Sequence, residues 1–363
     1  MRSHAEKTGV VAASLCDAAE PPLAVRLTPT PITDEPQPHR TYDLRPPING
    51  PPPPTAPPPP SLLVNDPAAS LFVPNPTRDP PIPLAVVSAR YPAADEVLRQ
   101  KVRALSRAFS RPDAPCPKTV PMGGVFCDGR PDGVKRVCLT PDVYPTAYCL
   151  VYSFGIGHDF TFEAAMARYG CDVFAFDSDR FHARYPTYMG DRLTFYKARI
   201  GKNFLRQTMF RSDVPGDQGF MVEYWPMAGL LQRLGHAHHH LFYLKFDIEG
   251  DEWEILENSL FKTPILERVQ QLALEIHFED LRANGTRLSS EGLRQSIERY
   301  LRVAEGLRAR GFRLALWEPN FKGPELSCLA GLCFHVYSET LWLNPSYKRL
   351  STRPSFGIPP PRL

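Results

Sequence analysis

Two glycines and an acid 22 residues beyond the first of them are the positions at which chemistry is first legible. Leu150-Val-Tyr-Ser-Phe-Gly-Ile-Gly157 is an apolar run ending in a Gly-x-Gly turn, and Val173-Phe-Ala-Phe-Asp177 is a second apolar run ending in a carboxylate. A turn without Cβ atoms lets backbone approach a bound ligand closely. An acid about 20 residues later, at the tip of the next strand, reaches ribose hydroxyls in doubly wound nucleotide sites. Ser153, Phe154, Gly155, Gly157 and Asp177 are therefore the expected cofactor-binding set, a half-site for an adenosine-containing cofactor, with an ordinary turn for the glycines and a cap or turn residue for Asp177 as the structural alternatives. Asp159 and Phe160 stand where the third glycine of the dinucleotide fingerprint would be sought, so these residues alone leave the cofactor open.

A second constellation lies downstream. Leu241-Phe-Tyr-Leu-Lys-Phe-Asp247-Ile-Glu249-Gly250 reads as a buried strand ending in acids and a glycine turn. Asp247 and Glu249 alternate at an extended strand end, which turns both toward one side of the sheet. Two neighbouring carboxylates repel, which raises one pKa and suits a proton acceptor or a metal site; Glu249 as a cap of the following helix is the structural alternative. His277 closes Leu274-Glu-Ile-His277, where a neutral imidazole could act as general base, join a divalent ion with the two acids, or sit as a satisfied core histidine. Asp247, Glu249 and His277 are the expected catalytic set, and no metal ligands are assigned. Lys245 inside an apolar strand requires a partner. Glu275 is the expected one, and orienting a substrate or cofactor carboxylate is the functional alternative. His236-Ala-His-His-His240 follows Gly235 and reads as a solvated loop, with a metal tract as the alternative, and Trp225 and Trp253 read as core or rim packing rather than substrate platforms.

Positioning these groups at one edge takes an alternation of strands and helices. Strands are expected at 149–154, 172–176, 193–198, 241–246, 271–276, 312–317 and 332–337. Helices are expected near 160–169 with Gly170 at the C-cap, at 227–234, from 252 to 258 and at 290–310, ending at Gly311. Val97, Leu98, Val102, Leu105 and Phe109 fall at helical spacing in 94–110, and 121–144 reads as an irregular lid. Alternating βα units predict a parallel sheet with helices on both faces, its ligand at the C-terminal strand ends where strand order reverses.

Lys245-Phe-Asp-Ile-Glu-Gly-Asp-Glu-Trp253 resembles the K-x-D-x-E-G-x-E signature of FkbM-like class I methyltransferases. Val125-Phe-Cys-Asp-Gly-Arg-Pro-Asp-Gly-Val-Lys-Arg-Val-Cys138, Val151-Tyr-Ser-Phe-Gly-Ile-Gly157 and Leu274-Glu-Ile-His277 are similar to segments of the methyltransferase-like protein 24 family. The resemblance covers residues 115–338. It implies an α/β class I methyltransferase, Rossmann-like, with a seven-stranded mostly parallel sheet in the order 3-2-1-4-5-7-6 and strand seven antiparallel. It also implies S-adenosyl-L-methionine as cofactor, with the segment from Ser153 to Gly157 around its methionine end and Asp177 on its ribose. The implied reaction is O-methylation of a hydroxyl on a small molecule or glycan. A non-catalytic methyltransferase-fold module that binds a ligand or partner is the alternative. A nicotinamide-dependent dehydrogenase is weakened by the missing third glycine, and a metal-dependent glycosyltransferase by the cofactor half-site upstream.

Composition bounds the rest. More than half of the 41 prolines precede Ala93, and the run 51–60 favours polyproline II. Residues 1–84 are expected to form a disordered proline-rich arm, a spacer or a ligand for an SH3 or WW module. Residues 85–345 are the expected domain and 346–363 a tail. A net charge of +3 without a long Lys/Arg run gives no electrostatic case for nucleic acid. No segment approaches the apolar length of a membrane span. The chain as written reads as soluble, and the secretory pathway is open to it if its authentic N-terminus lies upstream. The eight cysteines lack a Cys-x-x-Cys pair, which argues against a structural zinc site, and buried free thiols are one expectation because cysteine is among the most buried residues. The resemblance implies another, pairing among Cys116, Cys127 and Cys138 on a secretory route.

Overall fold

The computed structural model describes residues 95–127, 130–140, 148–179, 181–182, 185–210, 218–282, 288–320 and 326–346. The expected arm 1–84, the tail beyond Ser346 and the side chain of Cys127 lie outside the described residues.

Eight strands, numbered in chain order, form the central sheet. They are β1 Leu150–Phe154, β2 Asp172–Phe176, β3 Tyr188–Gly190, β4 Leu193–Tyr196, β5 Leu241–Phe246, β6 Val269–His277, β7 Arg313–Pro319 and β8 Tyr337–Leu343. Their spatial order is β7-β8-β6-β5-β1-β2-β4-β3. Strands β6, β5, β1, β2 and β4 pair in parallel, β8 runs antiparallel between β6 and β7, and β3 runs antiparallel to β4. With β3 set aside, this is the 3-2-1-4-5-7-6 order. Strands β1 and β5 are buried along their whole length, as unbroken apolar runs must be when both sheet faces are covered.

Alternation through the pleat builds two apolar layers. Tyr152, Phe154, Phe174, Phe176, Leu244 and Phe246 face the layer formed with helices α1 (Glu96–Ser110), α3 (Met227–Arg233), α4 (Glu252–Asn258) and α5 (Ser290–Ala309). Val151, Val173, Ala175 and Tyr243 face the layer formed with α2 (Thr161–Tyr169) and with Val137, Cys138 and Leu139. Helix α1 starts at Asp95, whose side chain accepts from Leu98 N–H, and buries Leu98, Val102, Leu105 and Phe109; Val97, expected on that face, is 55% exposed. Helix α2 stops where Gly170 adopts φ 107°, and the last helical carbonyls are met by its N–H.

Four expectations are corrected. The last sheet strand is Tyr337–Leu343 and not 332–337: Leu332–His335 pairs instead with Leu326–Leu329 in a separate hairpin closed by the Cys328–Cys333 disulfide. Both stretches are apolar and adjacent, and only the slot between β6 and β7 selects the second. The sheet holds eight strands and not seven, because the three-residue β3, too short to carry a period, adds an edge. The segment read as an irregular lid is built: Thr119–Met122 pairs with Lys135–Cys138, Val125–Cys127 pairs with Arg130–Asp132, and the first pair covers the sheet. The buried-free-thiol expectation fails for Cys116–Cys138, Cys149–Cys171 and Cys328–Cys333, which are disulfides. A second sheet, Leu205–Met209, Phe220–Trp225 and Arg199–Ile200, has no counterpart in the expected elements.

Candidate active site

The register aligns Phe154 with Phe176 on one side and with Phe246 on the other, so the residues that follow, Gly155, Asp177 and Asp247, leave adjacent strands side by side. This edge is where strand order reverses, β2 being added on one side of β1 and β5 on the other. The glycines serve different needs. A Cβ on Gly155 (φ 77°) would stand 1.6 Å from the Asp247 carbonyl oxygen, so its bareness is required by strand β5 and not by a ligand. Gly157 (φ 58°) has nothing within 4 Å of where its Cβ would stand. The open cradle belongs to Gly157 alone.

Asp177 braces this turn. One carboxylate oxygen accepts from Ile156 N–H (2.8 Å) and Gly157 N–H (2.9 Å), and the other from Ser178 N–H (2.7 Å). Four lone-pair positions against three donors leave acceptor capacity for one hydroxyl. His182 stiffens the turn from beneath. Its Nδ1 accepts from Asp179 N–H, so Nε2 carries the proton and donates to the Gly157 carbonyl at 2.8 Å. Burial lowers the pKa of His182 and favours that neutral ring. Ser153 is buried and donates to Glu163 Oε1 (2.6 Å), which places its hydroxyl beneath the sheet edge, in the core under the turn. Phe154 stacks on Phe176 with ring centroids 4.8 Å apart.

The acids occupy the neighbouring strand ends. Strand β5 stops at Phe246, and Glu249 adopts φ 56°, so the alternation argued for Asp247 and Glu249 does not apply. The Glu249 side chain is 85% exposed and reaches within 3.7 Å of His277 Nε2. It does not cap α4. Glu252 does the local bonding instead, accepting from Gly250 N–H at one oxygen and from both the backbone N–H and Nδ1 of His277 at the other. Burial opposes a charge on His277, but the Glu252 bond and the charges of Glu252, Glu275 and Asp247 outweigh it and raise its pKa to about 10. This direction favours the imidazolium at neutral pH over the neutral base. Its Nε2–H lies between Glu249 and Glu275, 3.7 Å from each.

Asp247 is held differently. Its oxygen lies 3.2 Å from Lys135 Nζ and 3.7 Å from Lys245 Nζ. Burial opposes its ionisation, yet the two ammonium groups hold its pKa well below the usual carboxylate range. The repelling pair is Asp247 with Glu275: burial first, then the charges of Asp247 and Glu339, push Glu275 well up. The expected Lys245–Glu275 pair is corrected. Glu275 pairs with Lys135 at 2.7 Å, whereas Lys245 donates to the Gly155 carbonyl and lies 3.9 Å from Glu163. Lys245 thus ties the glycine turn to the acid edge. His236 is not solvated but buried, its Nδ1 2.8 Å from the Tyr152 hydroxyl, and among the described residues the only three-member metal-competent group is Asp247, Glu275 and His277.

The residues missed in the sequence are Lys135, Glu252, Glu275 and Glu339 as members of the edge. The final Glu of the K-x-D-x-E-G-x-E signature is Glu252, so that signal was present. Lys135 lies in the 125–138 segment that carries the resemblance, but nothing local marked its role, because its partners are 112 to 204 residues away (from 135 to 247, and from 135 to 339).

A sheet in this order, with a glycine turn and an acid at the switch point, is the Rossmann-like arrangement of the methyltransferase class. The family model of the methyltransferase domain matches residues 87–295, and the chain belongs to that family. It is similar to Probable methyltransferase-like protein 24 of Rattus norvegicus, 30% identical over 185 residues, 50% of this chain and 46% of the relative. The same protein of Homo sapiens is 29% identical over 205 residues, 55% of this chain and 51% of the relative. The chain thus spans about half the length of the curated relatives it matches. A crystallised protein of Klebsiella pneumoniae, described as a candidate O-methyltransferase, covers 69% of this chain and 90% of its own at 12% identity and a TM-score of 0.30, too distant to carry an argument.

Proposed function

We propose that residues 85–345 form an S-adenosylmethionine-dependent methyltransferase domain that methylates a hydroxyl of a small molecule or glycan. The observation that carries this reading is the open cradle at Gly157, braced by Asp177, on the strand end next to Asp247, Glu249 and His277. When bound, the cofactor supplies a methyl group on a sulfonium for in-line transfer, so the chain's task is positioning and removal of one proton. Asp177 offers its remaining lone pair to a ribose hydroxyl, and Gly157 admits the cofactor backbone. Glu249, exposed and held at a backbone conformation costly for a residue with a Cβ, is the group that receives the acceptor's proton. The His277 imidazolium orients Glu249 and the acceptor oxygen through Nε2–H. Asp247, pinned by two lysines, fixes the edge electrostatically and is too acidic to serve as the base.

Three disulfides support a protein matured in an oxidising compartment. Among the described residues no helix is long and apolar enough to cross a membrane. Calorimetric titration and thermal unfolding with S-adenosylmethionine, S-adenosylhomocysteine and NAD test the cofactor. S-adenosylhomocysteine is expected to bind and raise Tm, as any native-state ligand does, and NAD to do neither. Stabilisation by NAD alone would reverse the assignment. Tight cofactor binding without transfer to any hydroxyl acceptor would favour the non-catalytic module.

A further inference from the structure

Lys135 comes from the hairpin strand Lys135–Cys138, outside the central sheet. Its side chain nevertheless ends in the acid edge. The ammonium lies 3.2 Å from Asp247 Oδ2, 2.7 Å from Glu275 Oε2 and 2.5 Å from Glu339 Oε1, and the side chain is 2% exposed. The ammonium donates to Glu275 on β6 and Glu339 on β8 and is ion-paired with Asp247 at the end of β5. Asp247 and Glu275 bring carboxyl oxygens within 4.8 Å of each other, and with Glu339 they make an oxygen set that suits a hard divalent ion, His277 being an imidazolium neighbour and not a ligand.

The hairpin delivers the ammonium rigidly. Gln271 bonds both the N–H and the carbonyl of Cys138, Arg136 forms two bonds to Glu318, the Tyr243 hydroxyl donates to the Arg136 carbonyl, and Cys116–Cys138 closes the base. A buried ammonium placed this way neutralises the repulsion that would otherwise push the strand ends apart.

We propose that Lys135 is the resident cation of the acid edge. Its ammonium takes the seat a divalent ion would otherwise fill, so the native chain gathers Asp247, Glu275 and Glu339 without metal, and removing the ammonium converts the edge into a divalent-cation site. The proposal is independent of the methyltransferase reading, since its test uses neither donor nor acceptor.

The experiment compares thermal unfolding and Mn²⁺ binding, read by electron paramagnetic resonance, of the EDTA-treated full chain, Lys135→Met, and Lys135→Met combined with Glu275→Gln. The wild type is expected to bind no Mn²⁺ and to show the same Tm with and without it. Lys135→Met is expected to melt lower, bind Mn²⁺ and recover Tm in its presence, and the double variant to lose that response. A lysine that merely packs would not create a Mn²⁺-dependent recovery. A folded Lys135→Met that ignores Mn²⁺ overturns the proposal. Should Lys135→Met not fold, the wild type still decides: Mn²⁺ binding abolished by Glu275→Gln sinks the idea, and no binding upholds it.

Discussion

At the scale of the residue, position relative to the two lysines separates the acids. Asp177 faces the glycine turn, Asp247 is clamped, and Glu249 alone extends into solvent beside His277. Asp177→Ala is expected to weaken S-adenosylhomocysteine by about 1.5–3 kcal/mol, the scale of a hydrogen bond to a charged group, while leaving some rate at saturation. Glu249→Gln is expected to abolish transfer with cofactor affinity within a few-fold. Donor titrations beside a transfer assay check both, and equal loss of cofactor binding in the two variants would defeat the division. His277 adds a pH signature. Its folded pKa of about 10 lies above the ordinary 6.5, so the folded state favours the imidazolium. The resulting stability is complete below pH 6.5 and is lost as pH rises through about 10. Denaturant unfolding across that window is expected to show wild type losing stability relative to His277→Gln; a constant difference between the two would place the ring outside this linkage.

At the scale of the element, the glycine turn and the covering hairpin do the positioning. A methyl group on Gly155 meets the Asp247 carbonyl, whereas one on Gly157 meets open space. Gly155→Ala is therefore expected to cost about 2–5 kcal/mol, overpacking added to left-handed strain, and to displace β5. Gly157→Ala is expected to fold with a loss of about 1–2 kcal/mol from strain alone and to bind S-adenosylhomocysteine poorly. Melting curves with and without that ligand distinguish them, and equal destabilisation by both would contradict the geometry. The strand–turn–helix unit from Leu150 to Tyr169 was readable because its signals are local: an apolar run, glycines, an amphipathic stretch and a capping glycine. The hairpin was not. Its strands are three or four residues long, and what makes them strands is each other and the sheet beneath.

At the scale of the whole molecule, the expectation is that the described core stands without the proline-rich segment. Deleting residues 1–84 is expected to leave Tm and S-adenosylhomocysteine affinity unchanged. A loss above about 1 kcal/mol, the size of a genuine packing contact or cap, would mean that the segment docks on the domain. The site itself belongs to this scale, since it draws Lys135, Asp177, Asp247, Glu275, His277 and Glu339 from positions spread over more than half of the chain.

By itself the sequence determined the order of βα units, the glycine turn and the acids at strand tips, because hydrophobic period and turn chemistry act over a few residues, and its motifs carried the resemblance to the family. It placed Gly155, Gly157, Asp177, Asp247, Glu249 and His277 at one edge because each ends a strand or follows one within three residues. Only the tertiary structure decided their charge states and partners. A pKa depends on the groups that burial brings within a few ångströms, and those come from remote segments: Lys135 against Asp247 and Glu275, and Glu252 across the turn from His277. Tertiary structure likewise chose Tyr337–Leu343 over its apolar neighbour as the inserted strand, since an antiparallel slot between two strands is a property of the assembled sheet and not of either segment.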